Sequence, residues 1–463
     1  MSGAPDRPVV IASNRGPVSF VEVDGALVPR RGGGGLVSGL APLLDEGRAT
    51  WIAAALSDAD RMAVAEGIDS ESGLPVHLLD IDPEQHRRFY DIVSNETLWF
   101  VHHALFDLTR GPSFDDDWYD AWADYRTVNH RFAAAVCELS PPDAVVLVQD
   151  YHLTLLAPVV KEHRPDLSIV HFHHTPFAGP DNARVLPTDV LEELLTSLDT
   201  HDACGFHTEA WAANYREVQR RWHPESVTPT TFAASLNSDP DELAATAASP
   251  ACVAALAELD ELVGDRQLIV RVDRMELSKN IVRGFAAYDR LLTNRPDLRG
   301  RVVFLACCYP SRLSVPAYAA YRDEVVAAAL ALNERWGTED WTPIELLTDD
   351  DYPRSVAALR RYDVLMVNPV RDGLNLVAKE GPMLNERDGQ VVLSIEAGAW
   401  AELADHADGI SPFDIRQTAS ALAECLDRAP DERRRRAAGL RDAALARTPA
   451  NWMADQLAAV DAI

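Results

Sequence analysis

Lysine is the scarcest charged side chain in this sequence. Only Lys161, Lys279 and Lys379 stand among 43 basic residues, the rest being arginine. Where lysine persists against so strong a bias, the chemistry at that position calls for a compact ammonium rather than a planar guanidinium. Positive charge is short overall, since 72 acidic residues leave a net charge of −29. The basic footprint of a general nucleic-acid or anionic-membrane binder is therefore missing, and neither partner is expected. An anionic small ligand would need a local cluster of cations set against the global field. The six cysteines, at 137, 204, 252, 307, 308 and 425, form no C-x-x-C pair. Their scatter through apolar stretches predicts buried thiols in a reducing compartment. No run of 18 apolar residues occurs, and the opening Met-Ser-Gly-Ala-Pro-Asp-Arg has no apolar signal region. A soluble cytoplasmic protein is expected. Internal repeats and low-complexity tracts are also missing.

What is present is ordinary globular composition, 47% hydrophobic and 25% charged, on a chain too long for one core. Single cores stop growing at roughly 250–300 residues, so 463 predicts two domains. Continuous apolar runs at Val9–Ala12, Ala144–Val148, Ile169–Phe172, Leu268–Val272, Val302–Ala306, Val364–Val367 and Val391–Ile395 alternate with Ala/Leu segments of helical period. Such runs suit strands buried on both faces and joined by helices, which is parallel βαβ architecture. The stretch from His223 to Thr230, broken by Pro224 and Pro229, reads as the linker. The expected fold is α/β, with two Rossmann-like doubly wound domains facing a central cleft. The first spans residues 1–225 and the second 226–445, and residues 446–463 form a helix that packs back on the first. Doubly wound sheets bind ligands beyond the carboxyl ends of their strands, so the informative residues should follow the strands.

They do. Ser13-Asn14-Arg15 follows the first run, and Gly32-Gly33-Gly34-Gly35 then offers backbone N–H groups to an oxyanion or forms a surface loop. Gln149-Asp150-Tyr151-His152 follows Ala144–Val148, and His173-His174-Thr175-Pro176-Phe177 follows Ile169–Phe172. His171 and His173 share a strand face while His174 points away, and no cysteine or carboxylate stands at ligand spacing, so no metal is expected. Polar groups facing a cleft or buried, satisfied histidines remain the two readings. Asp273-Arg274-Met275-Glu276-Leu277-Ser278-Lys279-Asn280 follows Leu268–Val272, with two cations five apart that could clamp a diphosphate. The strongest signal follows Val364–Val367, from Asn368 to Glu380. Gly373 permits a tight turn and Asp372 sits at its mouth. A helix from Leu376 turns its free N–H groups and positive dipole end toward the ligand. Glu380 has the reach to hold vicinal ribose hydroxyls. Asp115-Asp116-Asp117 and Arg433-Arg434-Arg435-Arg436 read as solvated loop and helix faces.

Taken in order, Asp150-Tyr151-His152-Leu153, Gly205-Phe206-His207-Thr208-Glu209, Arg274 with Ser278-Lys279, and Arg371 through Glu380 resemble the trehalose-6-phosphate synthases. These are retaining glycosyltransferases of the two-Rossmann GT-B type, and the resemblance runs nearly end to end. It implies transfer of glucose from a nucleotide-glucose to glucose 6-phosphate, with no tightly bound cofactor and only small-molecule partners. Oligomeric state is left open. By matching position, Arg15, Tyr90, Trp99, Asp150 and Arg312 would hold the acceptor, with Arg15 and Arg312 on its phosphate. Gly34, Gly35, His174 and Asp372 would surround the donor glucose. Arg274 and Lys279 would grip the diphosphate together with backbone N–H groups at Asn375, Leu376 and Val377, and Glu380 would hold the ribose. Arg274, Lys279, Asp150, His174 and Asp372 are thus the expected catalytic set, with His174 bonding a glucose hydroxyl rather than acting as a base.

The wording departs from the family at Gln149 (usually His), Glu276 (usually Asp) and Asn280 (usually Gly). It departs also across His173–Ala178 and Thr228–Leu236. These departures bear on the donor base; the Arg- and Ala-rich composition resembles the actinobacterial branch of the family, where GDP-glucose users occur, and that resemblance implies GDP-glucose first and UDP-glucose next. Other readings are a transferase with a different acceptor, such as a glucosylglycerol-phosphate synthase or a pseudo-glycosyltransferase, and a non-catalytic regulatory homologue.

Overall fold

The computed structural model describes residues 7–31, 36–37, 39–40, 49–68 and 75–461. It divides into two compact units, one of Met1–Leu236 with Pro449–Ile463 and one of Asn237–Thr448.

In the first unit the strands are β1 (Val9–Ala12), β2 (Val18–Val23), β3 (Ala26–Arg31), β4 (Ala49–Ala54), β5 (Val76–Leu79), β6 (Val145–Gln149), β7 (Ser168–His173), β8 (Ala203–Phe206) and β9 (Thr230–Ala233). Seven of them form a parallel sheet in the order β5-β4-β1-β6-β7-β8-β9. Strands β1, β6 and β8 are buried along their whole length, because helices cover both faces. The remaining pair, β2 and β3, is an antiparallel hairpin. Its turn, Asp24-Gly25, has positive φ at both residues, the mirror-image geometry that matches strand twist.

The second unit contains β10 (Gln267–Met275), β11 (Val302–Pro310), β12 (Ile344–Leu347), β13 (Val364–Val367), β14 (Gln390–Ser394) and β15 (Asp408–Ile410). They form a parallel sheet ordered β12-β11-β10-β13-β14-β15. Numbered within the unit this is 3-2-1-4-5-6, the Rossmann order, and the first unit repeats it with one further strand on the long side. Strand order reverses between β1 and β6 in one unit and between β10 and β13 in the other. The segments leaving those four strands are where a doubly wound sheet opens a binding crevice.

Three sequence expectations shift. The proline-rich stretch around Pro224 and Pro229 does not end the first unit, because Thr230–Ala233 returns as β9 and pairs parallel with β8. The four-arginine run also divides. Arg434 and Arg435 make exposed pairs one helical turn back, whereas Arg433 reaches Asp363 and Arg436 reaches Asp408. Asp115 is more than solvated loop, since its carboxylate accepts the Trp118 N–H and starts the helix Asp116–Leu139. Of the six cysteines, all free, five are buried and Cys137 is half-buried.

Candidate active site

In the second unit three strand ends bring their cations and carboxylates into register. β10 and β11 run side by side so that Arg274 lies opposite Tyr309 and Met275 opposite Pro310. Just beyond, Glu276 is completely buried, and its Oε1 lies 2.8 Å from Arg274 and 3.9 Å from Arg312. Ser311 Oγ donates to the same oxygen at 3.3 Å. The Arg312 nitrogen that faces Glu276, Nη1, also donates to the Tyr318 hydroxyl at 2.9 Å. A buried carboxylate is costly unless paired, and here the pairing fixes one guanidinium from the end of β10 and one from the loop after β11.

Lys279 donates to Asp372 Oδ2 at 2.6 Å. Burial alone would pull the Lys279 ammonium down, but the carboxylates of Asp372, Asp273 and Glu276 outweigh it and hold it above the ordinary lysine range. The same Asp372 oxygen accepts from Asn375 Nδ2 at 3.1 Å, while Asn375 Oδ1 accepts the Ala378 N–H. Asn375 thus caps the first turn of the helix Val377–Leu384 and ties it to Asp372. Glu380, one turn into that helix, accepts from Ser238 Oγ at 2.5 Å, and burial raises its carboxyl above the usual range. Arg371 pairs with Glu396 at 3.2 Å.

In the first unit Asp150 follows β6 with φ 70°. Its Oδ1 accepts the His174 N–H at 3.1 Å, joining the ends of β6 and β7. His174 Nε2 lies 2.9 Å from Gln149 Oε1, and Gln149 Nε2 donates to Gln456 Oε1 at 3.1 Å. Gln456 belongs to the helix Pro449–Asp461, whose Trp452 packs its ring 5.7 Å from that of His174. Burial lowers the His174 imidazole to about 3, so the ring is neutral at physiological pH. Tyr90 stacks on His152 at 5.6 Å, and Trp99, buried, meets Tyr151 at 6.2 Å. Both aromatics therefore touch the Asp150-Tyr151-His152 segment from the same wall. Tyr90 lies in a π-helical stretch, Arg88–Leu98, of the kind that recurs at functional sites, and Trp99 follows it directly. Arg15 projects an exposed side chain, its carbonyl pinned by Ser13 Oγ at 2.7 Å.

Thus within the second unit the expected residues gather into two groups, Arg274 with Arg312 and Lys279 with Asp372 and Asn375. Within the first, Asp150 and His174 meet directly. Leu376 precedes the helix and Val377 opens it. Gly34 and Gly35 lie outside the described residues. Among the described residues, four of the eight non-glycine positions with positive φ, Asp150, Asn280, Arg312 and Asn375, lie in these strand-end segments. Residue-by-residue reading missed the parts that hold the cluster, namely Glu276, Ser238 and Gln456. Glu276 and Gln149 were visible only as unusual wording. Asn280 explains itself, since φ 59° favours glycine and tolerates asparagine best among the rest. Its amide also donates to the Asn368 and Pro412 carbonyls.

With this geometry established, likeness to known proteins becomes informative. The description "Glycosyltransferase family 20" matches residues 7–462. The chain belongs to glycosyltransferase family 20. It is a retaining glycosyltransferase of the trehalose-6-phosphate synthase family with two parallel-sheet α/β domains. It is 30% identical over 479 residues to the trehalose-6-phosphate synthase of Mycolicibacterium smegmatis, covering 98% of this chain and 92% of that one. It is 31% identical to a bifunctional trehalose-6-phosphate synthase/phosphatase of Thermoproteus tenax, over 83% of this chain but only 53% of that protein, so it spans about half of that relative's length. A validamine 7-phosphate valienyltransferase of Streptomyces hygroscopicus subsp. jinggangensis is 29% identical, over 97% of this chain and 93% of its own. Among solved structures, the UDP-forming α,α-trehalose-phosphate synthase of Burkholderia vietnamiensis superposes with TM-score 0.83 at 28% identity, covering 98% of this chain and 100% of its own. The Burkholderia xenovorans enzyme in complex with glucose-6-phosphate does so with TM-score 0.83 at 26% identity, again over 98% and 100%. Among the described residues of this family-20 member, no cluster of three or more metal-ligating side chains occurs.

Proposed function

We propose that this glycosyltransferase makes trehalose 6-phosphate, moving glucose from a nucleoside-diphosphate glucose to the anomeric hydroxyl of glucose 6-phosphate with retention. The observation that carries the reading is the second unit's clustered charge: Arg274 and Arg312 on one buried carboxylate, and Lys279 on Asp372 beside a helix N-terminus. As the bond from the anomeric carbon to the diphosphate oxygen breaks, negative charge grows on the leaving group. Fixed cations and oriented N–H groups stabilise it where it forms, without reorganising. Arg274, Lys279 and the N–H groups at Asn375, Leu376 and Val377 take that role, and Glu380 holds the ribose. Asp372 and neutral His174 bond the transferred glucose. Arg15, Arg312, Tyr90, Trp99 and Asp150 hold the acceptor, and its orientation supplies the entropic share of the rate. Attack comes from the face the leaving group departs, and the phosphate oxygen takes the acceptor's proton.

The test is a matrix of GDP-, UDP- and ADP-glucose against glucose 6-phosphate, glycerol 3-phosphate and no acceptor, with products identified by NMR. Trehalose 6-phosphate, with nucleoside-diphosphate release that depends on the acceptor, is the expected result. Its absence with every donor sinks the reading. Resemblance to the actinobacterial branch ranks GDP-glucose first, while a similar solved enzyme is UDP-forming, so both donors belong in the matrix. The valienyltransferase relative favours a second reading, an unsaturated cyclitol in place of glucose. Turnover with a nucleotide-activated cyclitol and none with glucose would select it.

A further inference from the structure

Glu276 is an acid at full burial in a loop otherwise built to attract anions, and no role in the transfer reaction requires it to touch a substrate. Its surroundings explain why it is there. One oxygen, Oε1, meets Arg274 at 2.8 Å, Ser311 Oγ at 3.3 Å and Arg312 at 3.9 Å. Arg274 stands at the carboxyl end of β10 and Arg312 in the loop after β11, where its φ of 50° leaves the backbone strained. The Glu276 backbone belongs to the same knot, because its carbonyl accepts the Lys279 N–H and its N–H donates to the Arg274 carbonyl. Two guanidinium groups this close repel each other unless an anion lies between them. The Glu276 side chain has no exposed surface, so this anion meets the arginines away from solvent. Arg312 is only 10% exposed, whereas Arg274 is 39% exposed and would otherwise swing freely.

We propose that Glu276 is a shared positioning residue, a single counter-charge that sets the guanidinium groups of both the diphosphate grip and the acceptor-phosphate grip. The proposal rests on the functional reading above for the identity of the two anions, but not for the geometry. It makes the two anion sites interdependent: a ligand that draws Arg274 outward loosens that arginine's hold on Glu276, which then turns more fully to Arg312. Glutamic acid suits the position because its second methylene lets one carboxylate reach both arginines.

Glu276→Gln keeps the shape and removes the charge. Titration calorimetry with UDP, GDP and inorganic phosphate as probes should show at least tenfold weaker binding of both nucleotide and phosphate. Steady-state kinetics should show a parallel rise in KM for donor and acceptor. Glu276→Asp keeps the charge but withdraws it by one methylene, toward Arg274 and away from Arg312. It should spare nucleotide binding within about threefold while weakening phosphate binding. A role confined to stability predicts a lower melting temperature with both affinities intact, and that outcome overturns the proposal, as does loss of one affinity alone in Glu276→Gln. If Glu276→Gln does not fold, Glu276→Asp still decides, since unchanged phosphate binding in it counts against the shared role. If the wild-type chain transfers no glucose yet the binding pattern holds, the functional reading fails and the assignment of Glu276 stands.

Discussion

Two lysines of the same rarity met opposite fates. Lys279 stands on Asp372 in the proposed site, whereas Lys379, three residues into the helix Val377–Leu384, turns inward, fully buried, and pairs with Glu402 at 2.9 Å. Lys161 likewise serves structure, pairing with Asp202. Scarcity alone did not single out a site, since Lys161 and Lys379 stand in structural ion pairs and only Lys279 stands in the proposed site. Lys279→Ala should lower kcat by on the order of 10²–10³, the usual cost of one electrostatic partner of a leaving group, and should also lower the melting temperature, because the largely buried Asp372 carboxylate loses its cation. Full turnover in that variant would remove Lys279 from the mechanism. Asn280 invites a milder test. Valine there meets the left-handed backbone with a branched Cβ and loses two side-chain hydrogen bonds. It should destabilise the fold by about 2 kcal/mol or more in denaturant titration, with glycine costing less.

Among the elements, the strands at the two order reversals were legible because each is a continuous apolar run ended by polar residues. Other strands were not: β5, β8, β9, β12 and β15 span four residues or fewer, and β4, half of it alanine, reads equally well as helix. The turn after β14 shows what such elements contribute. It lies against the Asp372 loop, with the Asp372 N–H donating to Glu396, the Gly398 N–H to Asp372 and the Ala399 N–H to Leu374. A Cβ on Gly398 would sit 2.0 Å from the Gly373 carbonyl oxygen, and that atom is backbone. Gly398→Ala should therefore displace the loop, costing about 1–3 kcal/mol of stability and roughly tenfold or more in kcat/KM. Calorimetry and kinetics read the two effects separately. The helix Pro449–Asp461 offers a contrasting case. Trp452 is fully buried, edge-to-face with Phe172 at 5.1 Å. Trp452→Ala should cost about 3–5 kcal/mol in chemical denaturation while the isolated nucleotide still binds the second unit. Loss of nucleotide affinity would show that this helix matters beyond its own unit.

For the whole molecule, charge and buried histidines set the solution behaviour. A net charge of −29 repels anionic substrates at long range. The field reaches ~30 Å at 0.01 M ionic strength but only ~8 Å at 0.15 M. Raising salt between those limits should therefore increase kcat/KM; a monotonic fall would mean that the local cations dominate the encounter. Stability should depend on acid for a separate reason. Burial lowers His102 to about 3 and His201 to about 4, and holds His171 and His173 well below the ordinary range. The unfolded chain binds these protons near pH 6.5 and the native chain far lower. Their stabilisation is complete above about pH 6.5 and drains away as pH falls toward 4, at up to about 1.4 kcal/mol per pH unit for each histidine. A melting temperature flat from pH 7 to 8 and falling steeply below 6 is expected from scanning calorimetry.

Sequence alone determined the two α/β units, the loops that carry the proposed chemistry and the cations within them. These rest on apolar runs, turn residues and strand-end polar groups, all contained in windows of a dozen residues. Tertiary structure decided which charge faces which: that Glu276 meets arginines at the ends of two neighbouring strands, that Lys379 turns inward, that Thr230–Ala233 joins the first sheet. Gln456 reaching Gln149 across 307 residues belongs with these. Such pairings follow from strand order and helix facing, where burial forces each polar group to find whatever partner the fold brings near. A local window of sequence does not contain that partner.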